Sequence, residues 1–403
     1  MVNSEYMLRS SEGLSEGVGL APMEGVSDFP MRLWMSLTSQ PAFQVTPFLR
    51  VTRTFPKRIP LNWAPELLIE GLSDCLPYTL VPQLMSPEPA PFIEVAKKVL
   101  QHAPFVELNC GCPAPVVVGK GAGSGLLRNP SDFCDFISTA SSELGDEKLA
   151  IKIRTGFDSS DNYASLIEAL QGLKLRRLTI HGRTRAQKYR GYADWDKILY
   201  AAAQLKIPVH GSGDITDSAC LEDRLSSKHL LAGIIVGRGA LRNPWIFEEL
   251  RTGVSALIEG RVLLKAVECY GLILELFSVA PERLYECCMG GFFKKSLGFE
   301  YHSWEDFGVK IKRKLPNDQG SIISKKSLGK VKMLWNYLRS SLPAPLFEPK
   351  ILRSSNFEDF LAGIEGRLCA LDDQLPLKWK PDLDWVYAGE KRPESRAVAN
   401  NSN

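Results

Sequence analysis

Lys152 is the residue whose setting most clearly suggests a chemical role, because it interrupts an otherwise apolar run that includes Ala150, Ile151 and Ile153. A buried ammonium group needs an anionic partner to offset its lost hydration. A reduced flavin, which carries negative charge on its ring, would supply that partner. Gln83 and His181 end two other apolar runs and could hydrogen-bond the edge of such a ring. Either could also be structural, Gln83 as a turn cap and His181 as a polar core residue.

Two glycine-bearing turns, at 210–214 and 237–239, could bind a phosphate group. Glycines let backbone N–H groups approach an anion closely, and Arg238 adds positive charge. They could also be simple turn glycines. A third glycine-rich run, GKGAGSG at 119–125, lacks the serine or threonine that a Walker A loop places after its lysine. We therefore interpret this run as a mobile loop that could fold over a substrate.

The elements that must position these residues alternate in type along the chain. Eight short apolar runs occur at 17–22, 42–46, 78–84, 105–110, 149–154, 177–182, 207–212 and 233–238. Amphipathic stretches separate most of them, so the pattern predicts an α/β fold, a (β/α)8 TIM barrel. An open doubly wound sheet is the alternative. Polar or glycine residues end seven of the eight runs, and a barrel would gather them at one rim.

The pattern divides the chain into four parts. They are a polar N-terminal tail at 1–16, the barrel at 17–254, a helical domain at 255–345 and a C-terminal extension at 346–403. Within the helical domain we expect an irregular, basic segment at 281–326. Residues 294–332 contain ten Lys or Arg and four acidic residues, which could bind nucleic-acid phosphates or be a solvated charged face.

Composition narrows the class of protein further. The chain has 403 residues and a net charge of +3, which is ordinary for a globular protein. No run of 18 apolar residues occurs, so we expect no membrane span. Nine irregularly spaced cysteines predict reduced thiols in the cytoplasm, and the absence of any C-x-x-C pair predicts no metal site.

Six stretches together resemble the tRNA-dihydrouridine synthases. They are APMEGVSD (21–28), ELNCGCPAP (107–115), GKGAGSGLLRNP (119–130), IKIRTGFD (151–158), LTIHGRTRAQKYRGYADW (178–195) and GIIVGRGALRNPWIF (233–247). The resemblance is dense and ordered from about residue 19 to residue 250. Met-Glu-Gly-Val after Pro22, and the form Asn-Cys-Gly-Cys-Pro, are most similar to the bacterial branch that includes the C-type enzymes.

The resemblance implies FMN as cofactor, NADPH as reductant and tRNA as partner. It places FMN at Pro22, Met23, Glu24, Gln83, Lys152, His181, Ser212, Gly213, Asp214, Gly237 and Arg238. It implies Cys112 as the catalytic residue, with Asn109, Arg154 and Arg183 near the substrate uridine or its phosphates. The family usually has an asparagine where Ser212 stands, so weaker FMN binding is expected here.

The expected reaction is reduction of uridine in tRNA to dihydrouridine, with hydride delivered to C6 and a proton to C5. An ordinary thiol has a pKa of about 8.5 and is mostly protonated at neutral pH, so Cys112 could supply that proton. Cys110, in contrast, is expected to be a small buried residue. The target base would have to leave its stack to reach the barrel mouth, where Arg183, Arg185, Lys188 and Arg190 could also contact phosphates.

Two other functions remain open on the sequence. A flavin barrel could act on a small molecule, as a dihydroorotate dehydrogenase-like enzyme does. Alternatively, a protein that had lost its flavin could simply bind RNA. For any of the three functions the chain is expected to be a monomer, although no motif reports on its assembly.

Overall fold

The structure is a computed structural model that describes residues 14–54, 58–225, 230–290, 301–316, 322–371 and 376–378. Most of the predicted N-terminal tail, much of the C-terminal extension and Lys294 and Lys295 of the basic segment lie outside these residues. Within them, no helix is long and apolar enough to cross a membrane.

Ten parallel strands form one continuous sheet. They are β1 (Gly17–Leu20), β2 (Phe43–Val45), β3 (Leu49–Arg50), β4 (Thr79–Val81), β5 (Gln83–Met85), β6 (Val106–Cys110), β7 (Leu149–Arg154), β8 (Arg177–His181), β9 (Val209–Ser212) and β10 (Gly233–Val236). Their order is β3-β5-β6-β7-β8-β9-β10-β1-β2-β4. All eight predicted runs contain at least one of these strands.

Two prolines explain why eight predicted strands become ten. Pro82 separates β4 from β5, and Pro47 lies in the bend between β2 and β3. Proline has no N–H to donate to a neighbouring strand, so regular pairing stops there. Because β4 pairs with β2 while β5 pairs with β6, the interrupted strand links the two ends of the sheet. The sheet therefore closes into an eight-staved (β/α)8 barrel, as predicted, and the open-sheet alternative is excluded.

In the described part of the barrel, ten helices follow or connect the strands. They are α1 (Phe29–Thr38), α2 (Pro65–Leu68), α3 (Pro89–Val99), α4 (Pro115–Val118), α5 (Pro130–Leu144), α6 (Tyr163–Ala169), α7 (Trp195–Gln204), α8 (Ser218–Glu222), α9 (Arg238–Arg242) and α10 (Ile246–Thr252). Aspartate or asparagine caps several of them; Asp194, for example, accepts a hydrogen bond from the backbone N–H of Lys197. Their apolar faces pack on the outside of the strands and form the main core.

The helical domain begins after a short strand, β11 (Leu257–Ile258), which pairs antiparallel with β12 (Leu377–Lys378). Its helices are α11 (Gly260–Val279), α12 (Pro281–Met289), α13 (Tyr301–Lys312), α14 (Lys325–Leu338) and α15 (Phe357–Leu368). Short 3-10 turns occupy Ser73–Cys75, Gly123–Arg128, Arg339–Ser341, Ala344–Phe347, Ile351–Arg353 and Cys369–Leu371.

The expectation of an irregular segment at 281–326 is wrong for most of its described residues, which form α12 and α13. Pro281 suits the first turn of a helix, and Trp304 and Phe307 on α13 are fully buried. Tertiary packing therefore stabilises helices that the basic, weakly periodic sequence does not predict. The predicted extension also joins the bundle, because Phe360 of α15 packs edge-on against Trp335 of α14, 6.1 Å between ring centroids.

The helical domain packs against the barrel next to β1, the first strand of the barrel. The Trp34 indole of α1 donates a hydrogen bond of 2.7 Å to the Ala266 carbonyl of α11. At the barrel mouth, Lys330 of α14 pairs with Asp28, the residue that caps α1. One helix of the domain, α14, therefore lies along the rim where the β1 strand ends.

Candidate active site

A cavity of about 600 Å³ opens at the C-terminal ends of the barrel strands. Alternate residues of each strand point inward, which brings chemically different side chains together there. Thirteen of the predicted site residues line it: Pro22, Met23, Glu24, Asn109, Cys112, Lys152, Arg154, His181, Ser212, Gly213, Asp214, Gly237 and Arg238. Gln83 and Arg183 are fully buried beside the cavity and are not part of its lining.

Gln83 belongs to a buried chain of polar groups beneath the cavity. Its Nε2 donates to Glu107 Oε1 at 2.6 Å, and its Oε1 accepts from Asn109 Nδ2 at 2.7 Å. Asn109 Oδ1 accepts in turn from the backbone N–H groups of Gly111 and Cys112. A carboxylate at one end and N–H donors at the other fix the orientation of both amides. Gln83 thus positions the Cys112 loop from below.

The Cys112 loop is also held from above. The Ser124 hydroxyl and backbone N–H both donate to the Cys112 carbonyl, at 2.8 and 3.1 Å. Gly123 has a φ of +58°, and a Cβ there would lie 2.9 Å from the same carbonyl oxygen. The run 119–125, interpreted from sequence as a mobile loop, therefore includes a packed clasp on Cys112. Its glycines serve a close backbone approach.

The Cys112 thiol is half-buried, and that burial raises its pKa. The nearby charges of Arg154 and Arg50 oppose the rise, whereas Glu24 reinforces it. The group consequently stays protonated at neutral pH and can act as an acid. Cys110 is fully buried, as expected, and burial raises its pKa further.

Two cations of β7 face the cavity. Burial lowers the pKa of Lys152 to about 8, although the Glu107 carboxylate opposes this change. Burial also lowers the pKa of Arg154 to about 10. Arg154 donates to the backbone carbonyls of Gly111, Thr184 and Lys188. Arg154 therefore joins the loops that follow β6 and β8, and none of these hydrogen bonds goes to a carboxylate.

The Arg183 guanidinium group bonds to other groups of the protein. It lies 2.7 and 2.8 Å from the two carboxylate oxygens of Asp214, and it also bonds the backbone carbonyls of Arg190 and Gly191. Asp214 accepts a further bond from the Ala193 backbone N–H. This buried pair ties the β8 and β9 loops together. The geometry gives Arg183 and the Asp214 carboxylate a positioning role, and the ligand contacts that the resemblance implies for them stay predictions.

The cavity keeps His181 neutral. Burial is the largest cause of its lowered pKa, and the charges of Arg154, Lys152, Arg183 and Arg238 add to it. A neutral imidazole can donate one hydrogen bond and accept another, so it suits the edge of a planar ring. Gly213 lies against it, because a Cβ at Gly213 would approach the His181 ring to 3.1 Å.

The β9 and β10 turns form the backbone-lined part of the cavity. Gly213 has a φ of +128°, and an added Cβ would meet Ala193 Cβ at 2.6 Å. Arg238 follows Gly237 and its guanidinium carbon lies 4.2 Å from the centroid of the Tyr189 ring. Burial lowers the pKa of Arg238 to about 10. The two turns thus present backbone and one cation to the cavity, and phosphate binding there stays a prediction.

Several lining residues were missed from the sequence, including Phe48, Tyr189 and Tyr337. Tyr189 had a local signal, since it lies in the loop after His181 and between basic residues. Tyr337 had none, because α14 brings it to the cavity from the helical domain. Among the described residues, no group of three or more His, Cys, Asp or Glu side chains is arranged to hold a metal ion.

Comparison with known proteins supports one family. A family model described as dihydrouridine synthase matches residues 19–277. A "probable tRNA-dihydrouridine synthase" of Rhodobacter capsulatus is 33% identical over 237 residues, which cover 58% of this chain and 70% of the relative. The tRNA-dihydrouridine(16) synthase of Salmonella typhimurium is 31% identical over 229 residues, covering 56% and 73% respectively.

These similarities do not distinguish one branch of the family from another. The tRNA-dihydrouridine(47) synthase of Coprinopsis cinerea is 30% identical over 249 residues, covering 58% of this chain and 36% of the relative. Among solved structures, morphinone reductase aligns over 62% of this chain and 89% of its own, with 11% identity and a TM-score of 0.40. That correspondence is too loose to add to the argument.

Proposed function

Because this chain belongs to the dihydrouridine synthase family, we propose that it reduces specific uridines in tRNA to 5,6-dihydrouridine, with FMN as cofactor and NADPH as reductant. The observation that carries the proposal is a protonated thiol, Cys112, in the same cavity as Lys152, Arg154 and Arg238. An acid and several cations in one cavity suit a reaction in which negative charge builds up on a ring and is then protonated.

The cavity residues fit an FMN. The cavity has a volume of about 600 Å³, which lies in the range of cofactor sites. The glycine turns at Gly213 and Gly237, with Arg238, would hold the phosphate, and Lys152 and His181 would meet the ring. When bound, FMN would supply the hydride that adds to C6 of uracil.

The chain's own residues would complete the reduction. Cys112 would donate its proton to C5, and the clasp by Ser124 and Asn109 would keep the thiol in place while it does so. Lys152 and Arg154 would stabilise negative charge that develops in the cavity. Half-burial of the thiol limits the access of water, which would otherwise compete as proton donor.

The helical domain would orient tRNA over the cavity. Its helix α14 lies at the rim and contributes Tyr337 to the lining. However, several lysines of the basic region already have protein partners: Lys312 pairs with Glu268, Lys314 with Glu286 and Lys330 with Asp28. Exposed ion pairs are weak, so RNA phosphates could displace some of these carboxylates. The net charge of the basic region nevertheless overstates the positive charge that is available to bind RNA.

Replacing the proposed acid tests the function directly. Cys112→Ala should lower the rate of dihydrouridine formation in unmodified tRNA about 100-fold to 10,000-fold, the usual contribution of a general acid. Bound flavin and its reduction by NADPH should be unchanged, because the thiol takes no part in those steps. Mass spectrometry of digested tRNA measures the product, and visible absorbance measures the flavin.

Cys134→Ala is the matched control, since Cys134 is a half-buried thiol on α5 that does not line the cavity. It should retain wild-type activity. A colourless protein that takes up no FMN when it is supplied would rule out the proposed chemistry. Full activity in Cys112→Ala would instead retain the enzyme class and reject the assignment of the acid.

A further inference from the structure

Phe157 carries two arginines on its ring. The guanidinium carbon of Arg128 lies 4.8 Å from the ring centroid, and that of Arg185 lies 4.6 Å from it. Each contact is a favourable cation–π interaction, yet together they hold two like charges close to one another. The two positive charges repel each other, and a bound anion would offset that repulsion.

Few acidic groups neutralise this cluster. Arg128 is exposed and has no carboxylate partner among the described residues. Arg185 approaches Asp158 at 3.4 Å, but the Asp158 side chain is 76% exposed, so water screens that pair and a stronger anion can replace it. Lys188 and Arg190, in the same loop as Arg185, add further positive charge. The surface is therefore prepared for an anionic partner.

The barrel places the cluster opposite the helical domain. Arg128, Phe157 and Arg185 follow β6, β7 and β8, respectively. In the closed barrel β7 lies four staves from β1 in either direction, and the helical domain packs beside β1 through α1. None of the three cluster residues lines the cavity that the β9 and β10 turns border. The anion of the cluster is therefore separate from the phosphate of a cofactor bound at those turns.

We propose that Arg128 and Arg185, held on Phe157, bind backbone phosphates next to the target uridine, so that the RNA is gripped from both sides of the cavity. Guanidinium groups bind phosphate through two parallel N–H donors. Contact with the Phe157 ring already restricts each arginine side chain, so less conformational entropy is lost when phosphate binds. This inference rests on the proposed function, since it takes tRNA as the substrate.

The test removes both charges while leaving the fold intact. In Arg128→Gln/Arg185→Gln, the dissociation constant for an unmodified tRNA transcript should rise about tenfold at physiological salt. The slope of log affinity against log salt concentration should become shallower by about 1 to 2, because roughly 0.7 to 0.9 of a counterion is released per phosphate contact. Phe157→Leu, which keeps both charges, should weaken binding less and leave the slope nearly unchanged.

Lys97→Gln/Lys174→Gln is the matched control. Both lysines are exposed and end the segments before β6 and β8, so they lie at the opposite rim of the barrel. A salt slope in the arginine variant equal to that of this control would overturn the inference, as would a wild-type protein that binds no tRNA. Failure of the proposed function is seen separately, as wild-type protein that binds tRNA but forms no dihydrouridine.

Discussion

The two ends of the barrel use the same residue types in opposite ways. At the N-terminal ends of the strands, Glu16 pairs with Arg176 and lies 2.9 Å from His210 Nε2. At the C-terminal ends, Arg154 donates hydrogen bonds to backbone carbonyls, and His181 is surrounded by cations. Charge is thus neutralised at the N-terminal ends, where it stabilises the fold. At the C-terminal ends Arg183 is paired with Asp214, but Arg154 keeps a charge that a ligand can use.

Glu107 joins the two ends and should give the largest effect. It is fully buried, lies 3.3 Å from Arg177 and orients Gln83. Glu107→Ala would leave a buried guanidinium without its carboxylate, which should lower the free energy of unfolding by about 3–5 kcal/mol. Urea unfolding measures the loss. Glu107→Gln keeps an acceptor for Gln83 and should lose less; equal stability of all three proteins would contradict a structural role.

The neutralised end should also control acid stability. Burial lowers the pKa of His210 to about 4, whereas a histidine in the unfolded chain has a pKa of about 6.5. The unfolded chain therefore binds the proton more tightly, so the free energy of unfolding should fall as pH drops from about 6.5 to about 4, by up to about 3 kcal/mol. The Glu16 carboxylate, whose pKa is lowered to about 2, should add a loss below about pH 4.5.

His210→Gln checks that assignment, because glutamine cannot take up the proton. Its unfolding free energy, measured by urea titration at several pH values, should vary less than that of the wild type between about pH 4 and 6.5. The Glu16 contribution at lower pH should remain in part. An unchanged slope in the variant would mean that another group titrates in this window.

At the C-terminal ends of the strands, loss of a charge should reduce turnover and leave stability intact. Lys152→Met should reduce turnover about 100-fold, equivalent to about 2.7 kcal/mol of transition-state stabilisation, while leaving urea stability unchanged or higher. A pKa of about 8 means that the wild-type cation is lost above that pH. Turnover should therefore fall on the alkaline side, and a pH profile of the variant should lack that step.

A Lys152→Met protein that lost several kcal/mol of stability would break the contrast between the two ends. It would mean that the lysine chiefly serves as the counter-charge of Glu107. Lys152→Arg is the useful companion, since it preserves charge and alters only shape and hydrogen-bond geometry.

The sequence was sufficient wherever a local pattern decides the structure. Short apolar runs gave the staves of the barrel, and the residues at their ends marked the rim on which Cys112, Lys152 and Arg238 lie. Parallel strands expose their C-terminal ends at one rim, so residue order along the chain carries over into position in space. The helices α12 and α13 escaped detection because their helical state depends on burial against the bundle, of Leu284 and Cys288 in α12 and of Trp304 and Phe307 in α13.

The sequence by itself thus determined the fold, the family and the rim at which the cavity opens. Only the tertiary structure decided which polar residues reach the cavity: Gln83 turns to Glu107 and Arg183 to Asp214, whereas Tyr337 arrives from the helical domain. The physical reason is that a buried polar group takes whichever partner lies closest in space. Those partners are separated in sequence by 24 residues for Gln83 and 31 for Arg183, beyond the reach of any local pattern.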